Sequence, residues 1–265
     1  MKSIFSVLLS SICFISSCAN ENIDGKWIVS KRGKVILNTR PINYSKVTSP
    51  DSLIIDAILD EQNESMLLIN TKLETNFVSE FTVYLFNSDE AKEKIGTNGG
   101  GHVNLTTLTI YYTFLQAKNP KNGKCVFIGA HELVHLIANV ELGHAKSRIM
   151  SEGFAVAVTG NYGSYINSNS EVVKKDIELW MKEYILEDKI LKPTELINGK
   201  EISENIFYPQ AGFFINWLFD NYGVEKVNKL YKLRKKRILK DFEKITGESF
   251  YTMEKKYLLY CYSIK

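Results

Sequence analysis

The sequence CVFIGAHELVHLIA, residues 125–138, is apolar at every position except His131, Glu132 and His135. A helix that is apolar all round is a buried helix, and burying ionisable groups costs several kcal/mol unless a partner satisfies them. Residues four apart lie one above the other on a helix, about 6 Å between Cβ atoms, so the two histidines can bind one metal ion. The segment therefore predicts a helix over Cys125–Leu142 that carries a metal site.

Glu132 adds a second function to this predicted site. It lies about 100° round the helix from His131, which is within reach of a water molecule at the metal. A carboxylate in that position can act as a general base. The alternative interpretation of the segment is a buried helix with two hydrogen-bonded core histidines and no metal.

The metal site could be completed by one of three candidates later in the sequence than His135: Glu141, His144 and Glu152. Glu141 lies on the same predicted helix, about 9 Å of rise and roughly 240° of rotation further on, so its side chain leaves on another face. His144 follows the expected end of that helix, where the chain is heading away. Ala138 and Glu141 also exclude the metzincin pattern, which has Gly and His at these positions.

Glu152 is the favoured third ligand. It is the only charged residue in an apolar string that predicts a helix over Ile149–Asn161, and the short turn before this string allows the chain to reverse direction. A lone charge in apolar surroundings needs a partner, which a zinc ion supplies. We predict a Glu152 oxygen within about 3–5 Å of a ring nitrogen of both His131 and His135. The alternative is a helix-start carboxylate beside Ser151.

The remaining sequence predicts an α+β fold. Apolar alternation indicates strands, and apolar residues at helical spacing indicate helices. Strands are expected at Trp27–Val29, Lys34–Leu37, Phe77–Phe86, His102–Asn104 and Leu108–Tyr112, with one helix from Ser52 and a short one between Ser88 and Gly96. Further helices are expected over Glu171–Glu187, Tyr208–Asn221, Glu225–Arg237 and Phe250–Tyr260. The fold class is thus a small mixed sheet with helices in an N-terminal lobe, then the zinc helix and a mostly helical C-terminal lobe.

The start of the chain has the features of an export signal. Met1-Lys2 supplies a positive charge, residues 4–15 are apolar apart from serines, and Ile15-Ser16-Ser17-Cys18 resembles a bacterial lipobox. We predict a signal peptide over residues 1–17 and lipidation of Cys18, which would anchor the chain in a membrane of the bacterial envelope. The alternative is an ordinary secretory peptide cut near Ala19. An aspartate at that position is associated with inner-membrane retention, so its absence favours the outer membrane.

Composition indicates one folded domain behind this leader. The chain is 45% hydrophobic and 24% charged, which excludes a disordered protein. We predict a lipidated tether with the first strands over residues 18–50 and one domain over residues 51–265. Net charge is +3, and the one basic cluster, between residues 232 and 240, is expected to be a solvated helix face. No nucleic-acid partner is expected.

These motifs resemble the gluzincin metallopeptidases, and most closely the peptidase MA-like group. The resemblance rests on His131-Glu132-Leu133-Val134-His135 followed by Glu152-Gly153-Phe154-Ala155, and at a coarser level on Tyr208–Phe214 and the closing helices. It covers roughly Ser52 to Tyr260. The resemblance implies a gluzincin-like fold, with His131, His135 and Glu152 as Zn²⁺ ligands and Glu132 as the general base.

Two further roles are implied only by this resemblance. Tyr208 is similar to a gluzincin tyrosine that donates to the oxyanion, although Gly212 comes one residue later than in aminopeptidase N-like enzymes. The alternative for Tyr208 is core packing. The strand His102-Val103-Asn104 corresponds to the one that pairs with extended substrate backbone. Aminopeptidase N-like enzymes carry a glutamate there, and Val103 at the nearest position argues against an aminopeptidase.

The sequence as a whole predicts a zinc-dependent metallopeptidase, lipid-anchored through Cys18, that acts on a peptide or protein substrate. A catalytically inactive lipoprotein of the same fold that binds peptide or protein is the main competing hypothesis. Glu132 argues against it, because metal binding alone does not require this residue. Two more hypotheses stay open: a structural envelope protein, and a zinc hydrolase that acts on a different amide.

Overall fold

The structure of the chain, a computed structural model, describes residues 21–22, 25–26, 28–39, 52–86, 101–113, 115–116, 125–126, 130–166, 172–199 and 201–264. The predicted signal peptide, Cys18 and the helix expected between Ser88 and Gly96 lie outside these residues. Within the described ranges, no helix has both the length and the apolar character needed to cross a membrane.

A five-stranded mixed sheet dominates the N-terminal part. Two short strands, β1 (Glu21–Asn22) and β2 (Gly25–Lys26), pair with each other before it. The strands of the large sheet are β3 (Ile28–Arg32), β4 (Val35–Thr39), β5 (Phe81–Phe86), β6 (Gly101–Asn104) and β7 (Thr109–Thr113). Their spatial order is β3-β4-β5-β7-β6, with parallel pairs in the middle and an antiparallel pair at each edge. The long helix α1 (Ser52–Leu73) connects β4 to β5, as a parallel pair requires.

The rest of the described chain is mostly helical. It continues in order through β8 (Leu115–Gln116), β9 (Cys125–Val126), α2 (His131–Leu142), α3 (Arg148–Thr159), β10 (Asn161–Ile166), β11 (Val172–Asp176), α4 (Ile177–Leu186), α5 (Pro193–Asn198), α6 (Glu204–Tyr222), α7 (Val224–Tyr231), α8 (Lys235–Thr246) and α9 (Phe250–Ser263). The structure therefore confirms an α+β fold with a small mixed sheet and a mostly helical second part.

Three predicted helices differ from the structure. Cys125–Val126 is a strand paired with β8, and the helix begins only at His131. Residues 172–176 form the antiparallel partner of β10, so the predicted helix from Glu171 begins at Ile177 instead. The predicted helix Glu225–Arg237 is two helices, because α7 ends at Tyr231 and α8 starts at Lys235. For Cys125–Val126 the reason is that a short apolar run fits a buried strand as well as a buried helix, and the sequence pattern does not separate them.

Close packing of α3 against α6 holds the middle of the molecule together. A Cβ atom on Gly212 would lie 2.3 Å from Cγ1 of Val156, and one on Gly153 would lie 3.1 Å from the Ala211 carbonyl oxygen. Only glycine permits this approach of the two helices. This packing therefore helps to position the predicted ligand Glu152, because Glu152 directly precedes Gly153 in the chain.

A proline inside α6 is accommodated by a hydrogen bond from another helix. Pro209 has no N–H, so it leaves the carbonyl of Asn205, four residues earlier, without its helical donor. The Tyr184 hydroxyl of α4 donates to that carbonyl. This contact fixes the first turns of α6, which carry Tyr208.

Candidate metal centre

The two histidines of the central motif lie on the first two turns of α2. Helix α2 packs against α1, against the sheet strands β6 and β7, and against α3. Leu133, Val134, Leu136 and Ile137 are fully buried, whereas the histidine side chains are partly exposed, 27% for His131 and 14% for His135. The apolar positions therefore anchor the helix, and the histidines face a partly open space.

Helix α3 returns past α2 and brings Glu152 to the two histidines. Oε2 of Glu152 lies 3.3 Å from Nε2 of His131 and 3.3 Å from Nε2 of His135. The two Nε2 atoms are 3.2 Å apart, and the imidazole rings are nearly perpendicular, at 84°. The predicted convergence of these three side chains is confirmed.

The three ligand atoms form a nearly equilateral triangle that fits a tetrahedral metal ion. With bonds of about 2.0–2.1 Å at tetrahedral angles, ligand atoms are about 3.3 Å apart. The observed separations are 3.2, 3.3 and 3.3 Å. Among the described residues, this is the one group of three or more His, Cys, Asp or Glu side chains that could hold a metal ion.

Hydrogen bonds alone do not account for this triangle. A ring nitrogen that carries a proton has no lone pair to accept with, so at most two of the three contacts can be hydrogen bonds. The third contact then brings two lone pairs or two N–H groups together. A metal ion removes the conflict, because all three lone pairs point to one centre.

The remaining two ligand candidates lie elsewhere. His144 is exposed, and its Nδ1 is 3.0 Å from the side-chain oxygen of Asn139. Glu141 is also exposed, on the last turn of α2. Both positions agree with the helix geometry that favoured Glu152.

Charge in the cluster is arranged around the Glu152 carboxylate. Burial opposes ionisation of this carboxyl, but its contacts with His131 and His135 more than offset burial and hold its pKa far below that of an ordinary glutamate. Burial also opposes protonation of His135, but attraction to Glu152 and then Glu132 raises the pKa of this imidazole overall. Metal binding needs neutral histidines, so it would release protons from the cluster.

Ser151 supports one ligand from behind. Its Oγ atom lies 3.5 Å from Nδ1 of His135, on the ring edge opposite Nε2. When Nε2 binds a metal, the ring proton is on Nδ1 and can be directed to Ser151. In the sequence, Ser151 is only a helix-start neighbour of Glu152, and no sequence signal marks this role.

Glu132 lies against the edge strand β6. A Cβ atom built on Gly101 would be 2.5 Å from Cγ of Glu132 and 2.8 Å from its Oε1. Only a residue without a side chain leaves the carboxylate room at this place. The sequence shows a run of three glycines here, but it does not show which of them faces the acid.

Tyr208 is near the metal centre but is not one of its ligands. Its ring centroid lies 6.0 Å from that of His131 and 5.0 Å from the stacked ring of Tyr162. Burial, followed by the charges of Glu152 and Glu204, raises the pKa of Tyr208 well above its ordinary range. The phenol is therefore a proton donor at neutral pH, and its hydroxyl has no hydrogen-bond partner among the described residues.

The strand that carries His102, Val103 and Asn104 is at the edge of the sheet. It is β6, antiparallel to β7 and in contact with α2. Val103 packs against the core, and the His102 ring stacks on Tyr111 at 6.4 Å. The Asn104 side chain accepts hydrogen bonds from the backbone of Thr106 and Thr107, so it stabilises the hairpin turn.

The chain was compared with protein-family models and with curated protein sequences. No protein-family model matches it, and no curated protein matches its sequence significantly. The metal centre and the residues around it are therefore the features that indicate a function.

Proposed function

We propose that the chain is a zinc-dependent metallopeptidase with a gluzincin-like fold, and that it is anchored at the bacterial envelope through a lipid on Cys18. The observation that supports it best is the triangle of His131, His135 and Glu152, which matches the ligand spacing of a tetrahedral site. Three protein ligands leave a fourth position open, which is typical of catalytic rather than structural zinc.

The donor set also favours this metal. Two imidazole nitrogens and one carboxylate oxygen suit zinc, while Mg²⁺ and Ca²⁺ prefer oxygen ligands alone. Zinc held here would lower the pKa of a coordinated water and polarise the scissile carbonyl. The remaining steps of hydrolysis belong to side chains of the chain itself.

Glu132 accepts a proton from the attacking water and returns it to the leaving nitrogen. Its position supports this role, because it adjoins His131 in α2 and adds to the negative charge at His135. A general acid–base group of this kind contributes about 10²–10⁴-fold to a rate. Tyr208, protonated and without another partner in the described chain, would donate to the oxyanion as charge develops.

The edge of β6 is the expected place for the substrate. Extended peptides add to an exposed strand through backbone hydrogen bonds, which require little of the peptide sequence. Residues 101–104 run beside α2, so a peptide paired with them would pass Glu132. The roles expected for His102, Val103 and Asn104 are best assigned to their backbone groups, since Val103 and Asn104 use their side chains within the fold.

The proposal is tested with the chain from Ala19 onward, so that neither leader nor lipid is present. Zinc content is measured by plasma mass spectrometry, and cleavage of an unbiased peptide library is followed with and without a chelator. We expect one zinc per chain and cleavage that the chelator abolishes.

The variant Glu132→Gln is the matched control, since it should retain zinc and lose hydrolysis by at least about 10²-fold. Zinc binding with peptide binding but no cleavage by the wild type would favour the inactive binding protein. Wild-type cleavage by Glu132→Gln would contradict the general-base role.

A further inference from the structure

A cavity of about 620 Å³ lies where the starts of α3 and α8 meet the end of α5. Small-molecule sites in proteins are typically about 300–1,000 Å³. Neither the three metal ligands nor Glu132 nor Tyr208 lines it. The cavity is therefore separate from the site of the proposed peptidase.

Cations from two distant parts of the sequence line this cavity. They are Lys146, Arg148, Arg234, Lys235, Lys236 and Arg237, and no carboxylate is among the lining residues. Arg237 is neutralised by Asp241, at 2.6 Å, but the other five form no ion pair with any described residue. Four of the six belong to the basic cluster that was expected to be a solvated helix face; Arg234, Lys236 and Arg237 are exposed as expected, and Lys235 is half-buried.

The helix ends at the cavity increase this positive potential. Helices α3 and α8 both begin there, and neither has an acidic residue in its first turn or a side chain that caps its first N–H groups. The start of a helix carries a partial positive charge, so lysine and arginine are unfavourable there. Three cations nevertheless occupy the first turn of α8. An anion bound in the cavity would relieve this repulsion.

Ser147 adds an unsatisfied polar atom to the same wall. It is the residue before α3 and lines the cavity, and its Oγ is buried without a hydrogen-bond partner. A buried hydroxyl without a partner is unfavourable, because its contacts with water are lost and not replaced. A ligand oxygen would satisfy it together with the free N–H groups of the helix start.

Part of the remaining wall is apolar, and Asn198 and Gly199 complete it. Leu196 and Ile197 of α5 and Phe207 of α6 form the apolar part of the lining, and they are deeply buried, with 1%, 6% and 0% of each residue exposed. The Arg148 guanidinium stacks on Phe207, with Cζ 4.2 Å from the ring centroid, and so joins the cationic and apolar parts. A small inorganic anion would use only one of these parts.

We propose that this cavity binds a single-chain amphiphilic anion, with a phosphate or carboxylate head at the cations and an alkyl or acyl chain against the apolar wall. The ligand enters as a monomer from solution. The proposal does not depend on the metal centre, because no residue of that centre takes part.

Isothermal titration calorimetry on the chain from Ala19 onward tests the proposal, with decyl phosphate below its micelle concentration as the probe. Decanol presents the same chain without charge, and inorganic phosphate presents the head alone. We expect one decyl phosphate per chain and at least tenfold weaker binding of either partial probe. Raising the salt from about 0.05 M to about 0.5 M should weaken decyl phosphate binding, because salt screens the charges.

Two double variants with the same loss of charge locate the site. Arg234→Gln with Lys236→Gln removes two lining cations and should weaken decyl phosphate binding about tenfold or more. Lys240→Gln with Lys244→Gln removes two cations of α8 that do not line the cavity. This variant should change the affinity for decyl phosphate less than twofold. Lys146→Gln removes a lining cation that lies outside α8. It provides the same test if the first double variant does not fold.

Several results would overturn the proposal. Equal weakening by the two double variants would mean that only the net charge of the helix matters. If decanol bound as tightly as decyl phosphate, the cations would not contribute to binding. Binding to phosphatidylglycerol vesicles without binding of monomeric decyl phosphate would show a membrane-surface contact instead of a cavity ligand.

Discussion

Replacing Gly101 with alanine tests how the edge strand places the proposed general base. The new Cβ would lie 2.5 Å from Cγ of Glu132, whereas ordinary contact begins at 3.4 Å, so the acid must withdraw by about 0.9 Å. A misplacement of about 1 Å at a reacting group can lower a rate about 10²-fold. We therefore expect kcat/KM to fall about 10²-fold.

The fold and the metal site should tolerate this substitution. The group that moves is the flexible end of a side chain, and Gly101 has no positive φ that an alanine would strain. None of the three metal ligands is in the contact. We expect a melting temperature within a few degrees of wild type and one zinc per chain.

The assay compares peptide cleavage, zinc content and thermal unfolding of Gly101→Ala with those of Thr106→Ala. Thr106 is exposed on the same hairpin, and only its backbone N–H is used, so this control should match wild type in all three measurements. Unchanged turnover of Gly101→Ala would refute the placement of Glu132 by β6. Loss of zinc would show instead that the strand supports the metal ligands.

Three other predictions concern residues further from the ligands. Tyr208→Phe should lower kcat about 10²-fold with unchanged zinc content if the phenol donates to the oxyanion as proposed; unchanged turnover would mean that Tyr208 only packs in the core. Cys18→Ala should release the otherwise intact protein from washed membranes, and its retention after leader cleavage would contradict the lipid anchor. Cys261 is fully buried, and burial raises its pKa to about 11. In a Cys125→Ser background it should resist iodoacetamide near pH 8 until the protein is unfolded in urea, and rapid labelling of the native chain would contradict its burial.

Local helix geometry explains why part of the metal centre could be predicted from sequence. The spacing of His131 and His135 places both imidazoles on one face of any helix, whatever surrounds it. The same geometry turns Glu141 to another face. The single charge in an apolar string identified Glu152, because an unpaired buried carboxylate is costly. The structure confirms the resulting convergence, at 3.3 Å to each histidine.

Strand pairing was less predictable, because it depends on segments distant in the sequence. The edge strand was predicted at residues 102–104 and begins at Gly101 in the structure, but the strand at residues 172–176 has a polar sequence and forms by pairing with β10. The segment Cys125–Val126 has the apolar composition of the helix that follows it, yet it pairs with β8. Composition alone does not distinguish a buried strand from a buried helix when the run is short.

The sequence by itself determined the motif, the α+β class and the identity of the three side chains that could hold a metal ion, since each follows from periodicity or from the cost of a buried charge. Only the tertiary structure decided which groups surround these side chains. The contact of Gly101 with Glu132 and the stacking of Tyr162 on Tyr208 join segments that no local rule relates. The cationic cavity likewise exists only because α3 begins beside α8, so charges distant in the chain share one wall. Periodicity describes one element at a time, whereas a site between elements depends on how they pack.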